Sequence, residues 1–173
     1  MILIYFLFKI KLKWFLPLGL NYKTFTMAIR IETFNKDLHA ESILHLSERN
    51  NFYPKEIRTN YIYKGSVLFI DDKLIGWASW SDYSSKKADK NKCHLEYILI
   101  DVEYDRKGYG TLLLQEFIKW SRENGKTQLS ANVADGYFKA ENFYKKNGFK
   151  MKHQRFLYNQ WVKFIRNRKS KIN

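Results

Sequence analysis

The alternation and grouping of apolar residues predict a mixed α/β domain. Ile29–Phe34 alternates apolar with polar positions, as a half-buried strand does. Two apolar runs, Ser66–Ile70 and Leu74–Ser84, flank the turn sequence Asp71-Asp72-Lys73 and predict a hairpin. Asn35 is a residue type that caps helices. The helix predicted after it carries the apolar residues Leu38, Ile43, Leu44 and Leu46.

The most informative stretch is a predicted strand, Leu95–Val102, joined to a helix by the charged connector Glu103–Lys107. Gly108-Tyr109-Gly110-Thr111 opens that helix. The first N–H groups of a helix have no acceptor inside it, and the helix dipole favours negative charge there. Because Arg106 and Lys107 add positive charge, this stretch is predicted to hold a phosphate.

The rest of the chain predicts one more strand, one more helix and a final hairpin. Asn124-Gly125 ends the glycine-led helix, since glycine readily adopts the backbone conformation that follows a helix C-terminus. The elements after it are Thr127–Val133 as a strand, Tyr137–Asn147 as a helix that stops at Gly148, and Phe149–Gln154 with Phe156–Phe164 as a hairpin.

Three kinds of phosphate-binding loop are candidates for this stretch. A P-loop needs Lys-Ser/Thr after its last glycine, but Thr111-Leu112 follows Gly110. A dinucleotide-binding fingerprint needs a third glycine where Leu113 stands. The sequence 105–110, DRKGYG, resembles the pyrophosphate loop of the GNAT N-acetyltransferase superfamily, Gln/Arg-x-x-Gly-x-Gly/Ala. Asp105 stands where Gln or Arg is usual, and Arg106 is a candidate to take over that role.

A second block, 140–149 (AENFYKKNGF), resembles a later motif of the same superfamily, in which a short helix ends in tyrosine, polar residues and Gly-Phe. The resemblance covers about residues 28–165. It implies a central, mixed and mostly antiparallel sheet with flanking helices, and a parallel strand pair that splays apart to hold acyl-CoA. It also implies transfer of an acetyl group from acetyl-CoA to a primary amine, by direct attack in a ternary complex.

The resemblance assigns the cofactor contacts residue by residue. For the pantetheine arm it implies backbone contacts from Leu99, Ile100, Asp101 and Val102, together with the side chain of Asn142. A backbone N–H near Leu99 or Ile100 is expected to polarise the thioester carbonyl. For the pyrophosphate it implies Arg106, Lys107, Gly108, Tyr109, Gly110 and Thr111. No metal is expected.

The candidate base is one of two residues on the central strand. His94 and Glu96 are two residues apart, so their side chains point to the same face. Both fall where members of the superfamily keep acidic residues. Glu96 would act directly or through a water molecule, whereas His94 is expected to titrate near neutrality. Tyr144 matches the tyrosine near the cofactor sulfur and is the candidate acid. Cys93 is treated as a bystander.

Net charge adds little to the functional interpretation. The chain carries +14, but four lysines within residues 1–26 and five basic residues within 163–173 leave +5 for the rest. A modestly basic body suits a ligand that carries several phosphates. The alternative function is a non-catalytic protein on the same scaffold that binds CoA or nucleic acid, which Asp105 and the basic tail favour. Nucleic acid is not the expected partner.

The predicted domain spans residues 27–166, between an apolar and basic extension, 1–26, and a basic tail, 167–173. The extension is a membrane-associating leader, an element packed on the domain, or an untranslated stretch before Met27. We favour the last, because Met27 precedes the expected first strand. Binding to a membrane is expected only if residues 1–26 are present as the membrane-associating leader. The single cysteine suits a reducing, cytoplasmic setting.

The amine acceptor is not readable from the sequence, because the acceptor cleft of the superfamily follows no general motif. Small molecules and proteins both remain open as acceptors. A homodimer is compatible with the family resemblance. The candidate lining of the acceptor cleft is aromatic and consists of Phe52, Tyr53, Tyr61 and Tyr63.

Overall fold

A computed structural model describes residues 4–6, 28–51, 64–82, 90–154 and 157–165 of the protein. Over these residues the chain forms eight strands and three helices. The strands are β1 (Ile4–Phe6), β2 (Ile29–Thr33), β3 (Lys64–Ile70), β4 (Lys73–Asp82), β5 (Lys92–Ile100), β6 (Gln128–Ala134), β7 (Lys150–Gln154) and β8 (Tyr158–Phe164). The helices are α1 (Lys36–Arg49), α2 (Tyr109–Glu123) and α3 (Phe138–Lys146).

The strands form one mixed sheet in the order β1-β2-β3-β4-β5-β6-β8-β7. Neighbouring strands are antiparallel except for β5 and β6, which are parallel. The predicted mixed, mostly antiparallel sheet is therefore confirmed, and so are both hairpins. The last hairpin enters the sheet in reverse, since β8 lies between β6 and β7. That order cannot be read from the sequence pattern.

Local signals in the sequence explain where several elements begin and turn. The β3–β4 turn has Asp71 and Asp72 at φ 48° and 71°, the left-handed backbone that a tight two-residue hairpin turn requires. The side chain of Asn35 caps α1 by accepting from the N–H groups of Asp37 and Leu38. In α1, Ile43 and Leu46 are fully buried, whereas Leu38, in the first turn, is 74% exposed.

The core lies on both faces of the sheet. On one face, Leu113 and Phe117 of α2 pack against β3, β4 and β5. On the other, Ile43 and Leu46 of α1 pack against Trp77 and its neighbours. Trp80 lies beside Phe117 and belongs to the α2 side. Trp77 and Trp80 therefore lie on opposite sides of the sheet, as two residues an odd number apart on a strand do. Each helix buries one face of the sheet.

Some predictions concern residues outside those described. They include the aromatic residues Phe52, Tyr53, Tyr61 and Tyr63, most of the 1–26 extension and the 167–173 tail. Within the extension, β1 pairs antiparallel with β2, and Ile4 lies opposite Ile31. The nature of residues 1–26 stays a prediction. In the described part of the chain, no helix is both long enough and apolar enough to cross a bilayer.

Candidate functional site

The sheet opens between its two parallel strands. β5 and β6 pair from Lys92 opposite Gln128 to Leu95 opposite Ala131. Beyond that point β5 runs on to Ile100 and β6 to Ala134, and no further pairing joins them among the described residues. A wedge therefore lies between the strands, with backbone hydrogen-bonding groups along its edges.

A β-bulge stands where the pairing stops. Tyr97 lies opposite Ser79 of β4 and Leu95 opposite Trp80, so Glu96 is an extra residue on β5. A bulge bends its strand and increases the local twist. The bend turns the second half of β5 away from β6 and positions Glu96 at the start of the opening.

The hydrogen bonds of β5 define which backbone groups face the wedge. The N–H of Asp101 donates to the carbonyl of Ile75, 2.8 Å away, on the β4 side. Successive residues of a strand direct their N–H groups to opposite edges. The N–H groups of Ile98 and Ile100 therefore point toward the opening, and those of Leu99 and Asp101 point toward β4.

The N-terminus of α2 adds a second set of N–H donors. Gly108 precedes the helix with φ 91°, a left-handed conformation that glycine adopts without steric cost. Its carbonyl accepts from the N–H groups of Thr111 and Leu112 at 3.0 and 3.3 Å. The N–H groups of Gly108, Tyr109 and Gly110 come before these bonds, and none of them donates to a backbone acceptor among the described residues. This end of the helix can accept an anion.

A buried carboxylate holds the start of the loop that leads to α2. Asp101 is fully buried, and its Oδ1 accepts from the N–H of Glu103 at 3.1 Å. Arg49 at the end of α1 contacts its Oδ2 at 2.9 Å. The chain enters a 3₁₀ turn at Val102–Tyr104, so the strand predicted to reach Val102 ends at Ile100 instead. The strand ends there because the Asp101 side chain caps the 3₁₀ turn by accepting from the Glu103 N–H.

Asp105, the departure from the superfamily pattern, is paired with a lysine. Nζ of Lys139, in the first turn of α3, lies 2.6 Å from Oδ2 of Asp105. The Lys139 hydrogen bond, helped by the Arg106 N–H, lowers the pKa of this carboxyl. Lys107 donates to the carbonyl of Glu103 at 2.9 Å, while the Arg106 side chain is 91% exposed. The loop is thus tied to α3.

His94 and Glu96 lie together at the base of the wedge. Nε2 of His94 is 4.0 Å from Oε2 of Glu96, which confirms that they share a face. Nδ1 of His94 lies 2.8 Å from Oγ of Ser130 on β6, and the Ser81 hydroxyl hydrogen-bonds Glu96. Burial lowers the pKa of His94 to about 4. The expectation that His94 titrates near neutrality is wrong, because desolvation disfavours its charged form.

The other candidate residues differ in burial. Tyr144 is 5% exposed, and burial raises its pKa, so it stays protonated at neutral pH. Its ring centroid lies 5.3 Å from those of Phe143 and Phe149. Asn142 is exposed on α3. Burial raises the pKa of Cys93 to about 12, so its thiol is not a nucleophile at neutral pH.

Three residues that frame this site were not found from the sequence. The edge of β5 that the Ile98 N–H faces depends on how β5 pairs with β4. Knowing the β4–β5 register would therefore have been sufficient to identify Ile98. Ser130 and Lys139 contact His94 and Asp105 from 36 and 34 residues away, and no local pattern signals such contacts. Among the described residues, no three His, Cys, Asp or Glu side chains are grouped to hold a metal ion.

The part of the chain that contains this site matches a known protein family. Residues 28–149 match the acetyltransferase (GNAT) family. The chain belongs to the GNAT acetyltransferase family. None of the curated proteins is similar enough to match this GNAT sequence. The matched residues include β5, the glycine loop, α2 and α3, and therefore the wedge and the helix N-terminus described above.

Solved structures share the GNAT fold at low sequence identity. The PaiA N-acetyltransferase of Thermoplasma acidophilum, in complex with coenzyme A, is 21% identical, with 80% of this chain and 100% of that chain covered and a TM-score of 0.67. The ribosomal-protein-S18-alanine N-acetyltransferase of Escherichia coli is 17% identical, with 78% and 90% covered and a TM-score of 0.64. Ard1 of Thermoplasma volcanium is 18% identical, with 79% and 97% covered and a TM-score of 0.63.

Proposed function

We propose that this GNAT protein transfers the acetyl group of acetyl-CoA to a primary amine, by direct attack in a ternary complex. The observation that supports this best is the wedge between β5 and β6, which opens beside the N-terminus of α2. The pantetheine arm is an extended chain of amides, and the wedge offers it a strand edge. One similar structure is a complex with coenzyme A.

In this proposal, backbone groups bind the acetyl donor, acetyl-CoA. The N–H groups of Ile98 and Ile100 pair with the pantetheine amides as a missing strand would, and one of them polarises the thioester carbonyl. The N–H groups of Gly108, Tyr109 and Gly110 bind the pyrophosphate. The N–H groups of Leu99 and Asp101 point toward β4, so the pantetheine contacts predicted for these two residues are not part of the proposal. Contacts from Val102, Arg106, Lys107, Thr111 and Asn142 remain predictions.

Glu96 is the proposed base. The acceptor nitrogen must lose a proton before it attacks the thioester carbon. The Glu96 side chain is 26% exposed, whereas that of His94 is 10% exposed and is held by Ser130 on one ring nitrogen. Glu96 is therefore the more accessible of the two, and it takes the proton from the acceptor amine directly or through a water molecule. His94 lies beside it as a neutral imidazole.

Tyr144 is the proposed acid. When the amine nitrogen bonds to the acetyl carbon, the C–S bond breaks and the sulfur leaves as a thiolate. The raised pKa of Tyr144 keeps its phenol protonated, so it can donate a hydrogen bond or a proton to that sulfur. We propose no particular acceptor. A cytoplasmic location and a homodimer also remain predictions.

Thermal unfolding of the full chain with and without acetyl-CoA tests the donor site. A ligand that binds only the folded state at 100 times its Kd adds about 2.7 kcal/mol, so the Tm is expected to rise by several degrees. Gly108→Ala is expected to abolish most of that rise, since alanine is strained at φ 91°. Gly125→Ala, which carries similar strain at φ 71° away from the wedge, is the matched control and is expected to keep it.

A second assay tests transfer itself. Release of free CoA thiol in the presence of a panel of primary amines is expected for at least one amine. An unchanged Tm at millimolar acetyl-CoA would contradict the proposal. Salt-dependent binding to RNA or DNA would then support the alternative function.

A further inference from the structure

The carboxylate of Glu96 accepts a hydrogen bond from a side chain of the neighbouring strand. The hydroxyl of Ser81, on β4, donates to Oε1 of Glu96. Ser81 lies opposite His94 in the register of β4 and β5, and Glu96 is the bulge residue two positions further along β5. The bulge therefore brings a carboxylate and a hydroxyl together at the start of the wedge.

Two buried contacts hold the end of β4 that carries Ser81. The thiol of Cys93 donates to the Ser81 carbonyl at 3.1 Å, and burial raises the pKa of this thiol to about 12, so it keeps its proton. The next residue, Asp82, pairs with Lys126, which is only 2% exposed and also donates to the carbonyl of Lys90 at 2.9 Å. The backbone that carries the Ser81 hydroxyl is therefore held firmly in place.

Partial burial works against ionisation of Glu96. Its side chain is 26% exposed, and removing a carboxylate from water favours the neutral acid. His94 beside it brings no compensating positive charge, because burial lowers the pKa of its imidazole to about 4. A hydrogen bond donated to a carboxylate favours the ionised form instead. The Ser81 hydroxyl supplies such a bond.

The other ionisable groups at this end of β4, β5 and β6 do not provide the same effect. Tyr97 stacks on an indole ring of β4, with ring centroids 5.7 Å apart. Asp82 is neutralised by Lys126. Lys92 is four residues back along β5, about 13 Å from Glu96 at strand spacing. β6 has the sequence QLSANVA and carries no ionisable side chain. Among these described strands, none of the charged groups replaces the hydrogen bond from the serine.

We infer that Ser81 is a positioning residue for the proposed base, and that its hydroxyl keeps the Glu96 carboxylate ionised and in one orientation at the start of the wedge. A general base must be ionised to accept a proton, and a catalytic side chain must be held close to its productive position. Ser81 serves both needs through one hydrogen bond and takes no part in the proton transfer. The catalytic part of this inference rests on the proposed function, whereas the ionisation of Glu96 can be measured without a substrate.

NMR titration of the full chain, with ¹³C in the glutamate side-chain carboxyl groups, tests the contact directly. The Glu96 signal is identified by its absence from the spectrum of Glu96→Gln. Ser81→Ala is expected to raise the titration midpoint of Glu96 by about one pH unit, because the carboxylate loses a hydrogen-bond donor. Ser79→Ala is the matched control, since it removes a fully buried hydroxyl of the same strand that has no hydrogen-bond partner among the described residues. The control is expected to keep the wild-type midpoint.

The pH dependence of acetyl transfer tests the catalytic role. In Ser81→Ala, the acidic limb of the kcat/KM profile is expected to move to higher pH by the same amount as the midpoint. The loss of kcat/KM is then about tenfold on the acidic side of the profile and small on the alkaline side. A role in packing alone would lower kcat/KM by one factor at every pH, and that outcome would overturn the inference. An unchanged Glu96 midpoint in Ser81→Ala, or an equal shift in Ser79→Ala, would also overturn it.

A pair of variants of equal shape keeps the test decisive if Ser81→Ala does not fold. Ser81→Thr keeps the hydroxyl and Ser81→Val lacks it, and both β-branched residues suit a strand. The threonine variant is expected to behave like wild type and the valine variant to show the raised midpoint, so equal midpoints in the two would contradict the inference.

Failure of this inference and failure of the proposed function give different results. If wild type acetylates an amine and the Glu96 midpoint does not depend on the Ser81 hydroxyl, only the inference is wrong. If wild type acetylates no amine of the panel, the proposed function and the catalytic role of Ser81 both fail, and the midpoint still decides whether Ser81 keeps Glu96 ionised.

Discussion

At the scale of single residues, the environment of each side chain decides its chemistry. Glu96 and His94 are close in sequence and in space, but only Glu96 has appreciable exposure. The bulge gives Glu96 its position, and Ser81 hydrogen-bonds its carboxylate. Because His94 is desolvated and held by Ser130, it remains a neutral imidazole. The residue that accepts the proton is therefore expected to be Glu96.

Replacing Glu96 by glutamine tests that role. Glu96→Gln is expected to lower kcat by about 100-fold or more at pH 7, since a general base contributes on that order. The Kd for CoA is expected to stay unchanged, and the pH–rate profile to lose its acidic limb. The measurement is steady-state kinetics with the best amine of the panel. Glu116→Gln on α2 is the control, and a Glu96→Gln profile identical to that of the control would remove Glu96 from the mechanism.

At the scale of elements, the loop that leads from β5 to α2, which is the proposed pyrophosphate site, depends on both of its neighbours. Asp101 attaches its start to Arg49 of α1, and Asp105 attaches its end to Lys139 of α3. The second contact explains how an aspartate is tolerated where the superfamily usually has Gln or Arg. Lys139 neutralises a carboxylate that would otherwise repel the proposed pyrophosphate ligand.

Removing that lysine is expected to weaken CoA binding. Lys139→Gln leaves Asp105 unpaired beside the pyrophosphate site, so the Kd for CoA is expected to rise about tenfold. Adding Asp105→Asn is expected to restore most of the affinity, because the repulsion disappears. The measurement is calorimetric titration with CoA. Lys146→Gln, near the C-terminus of α3, is the control, and equal affinities for the two lysine variants would contradict the prediction.

At the scale of the whole molecule, burial of His94 links stability to pH. Its pKa is about 4 in the folded protein, below the ordinary value of 6.5. Between these values the unfolded chain binds more protons than the folded one, so the free energy of unfolding rises with pH. The contribution is fully present above about pH 6.5 and is lost as pH falls toward 4.

Urea unfolding between pH 4 and 7.5 measures this dependence. The free energy of unfolding of wild type is expected to fall by about 3 kcal/mol more than that of His94→Gln over this range. Carboxylates and His39 contribute to both proteins alike, so the difference isolates His94. His45→Gln, at a side chain that is 63% exposed, is expected to behave like wild type. Parallel pH curves for wild type and His94→Gln would contradict the burial argument.

Most of the elements were predictable because their signals are local. The cap at Asn35, the turn at Asp71-Asp72 and the stop at Gly125 depend on hydrogen bonds and φ angles within a few residues. The strand end at Ile100 was missed by two residues. The partner that pulls Asp101 into a cap, Arg49, lies 52 residues away.

The sequence alone thus determined the order of the strands and helices from β2 onward, the hairpins, the glycine-led helix N-terminus and the family of the fold. Only the tertiary structure decided the insertion of β8 beside β6, the bulge at Glu96 and the Asp105–Lys139 pair. These features depend on strand register and on contacts between distant residues. Register is a property of the assembled sheet, and a shift of one residue would move every side chain of a strand to its other face.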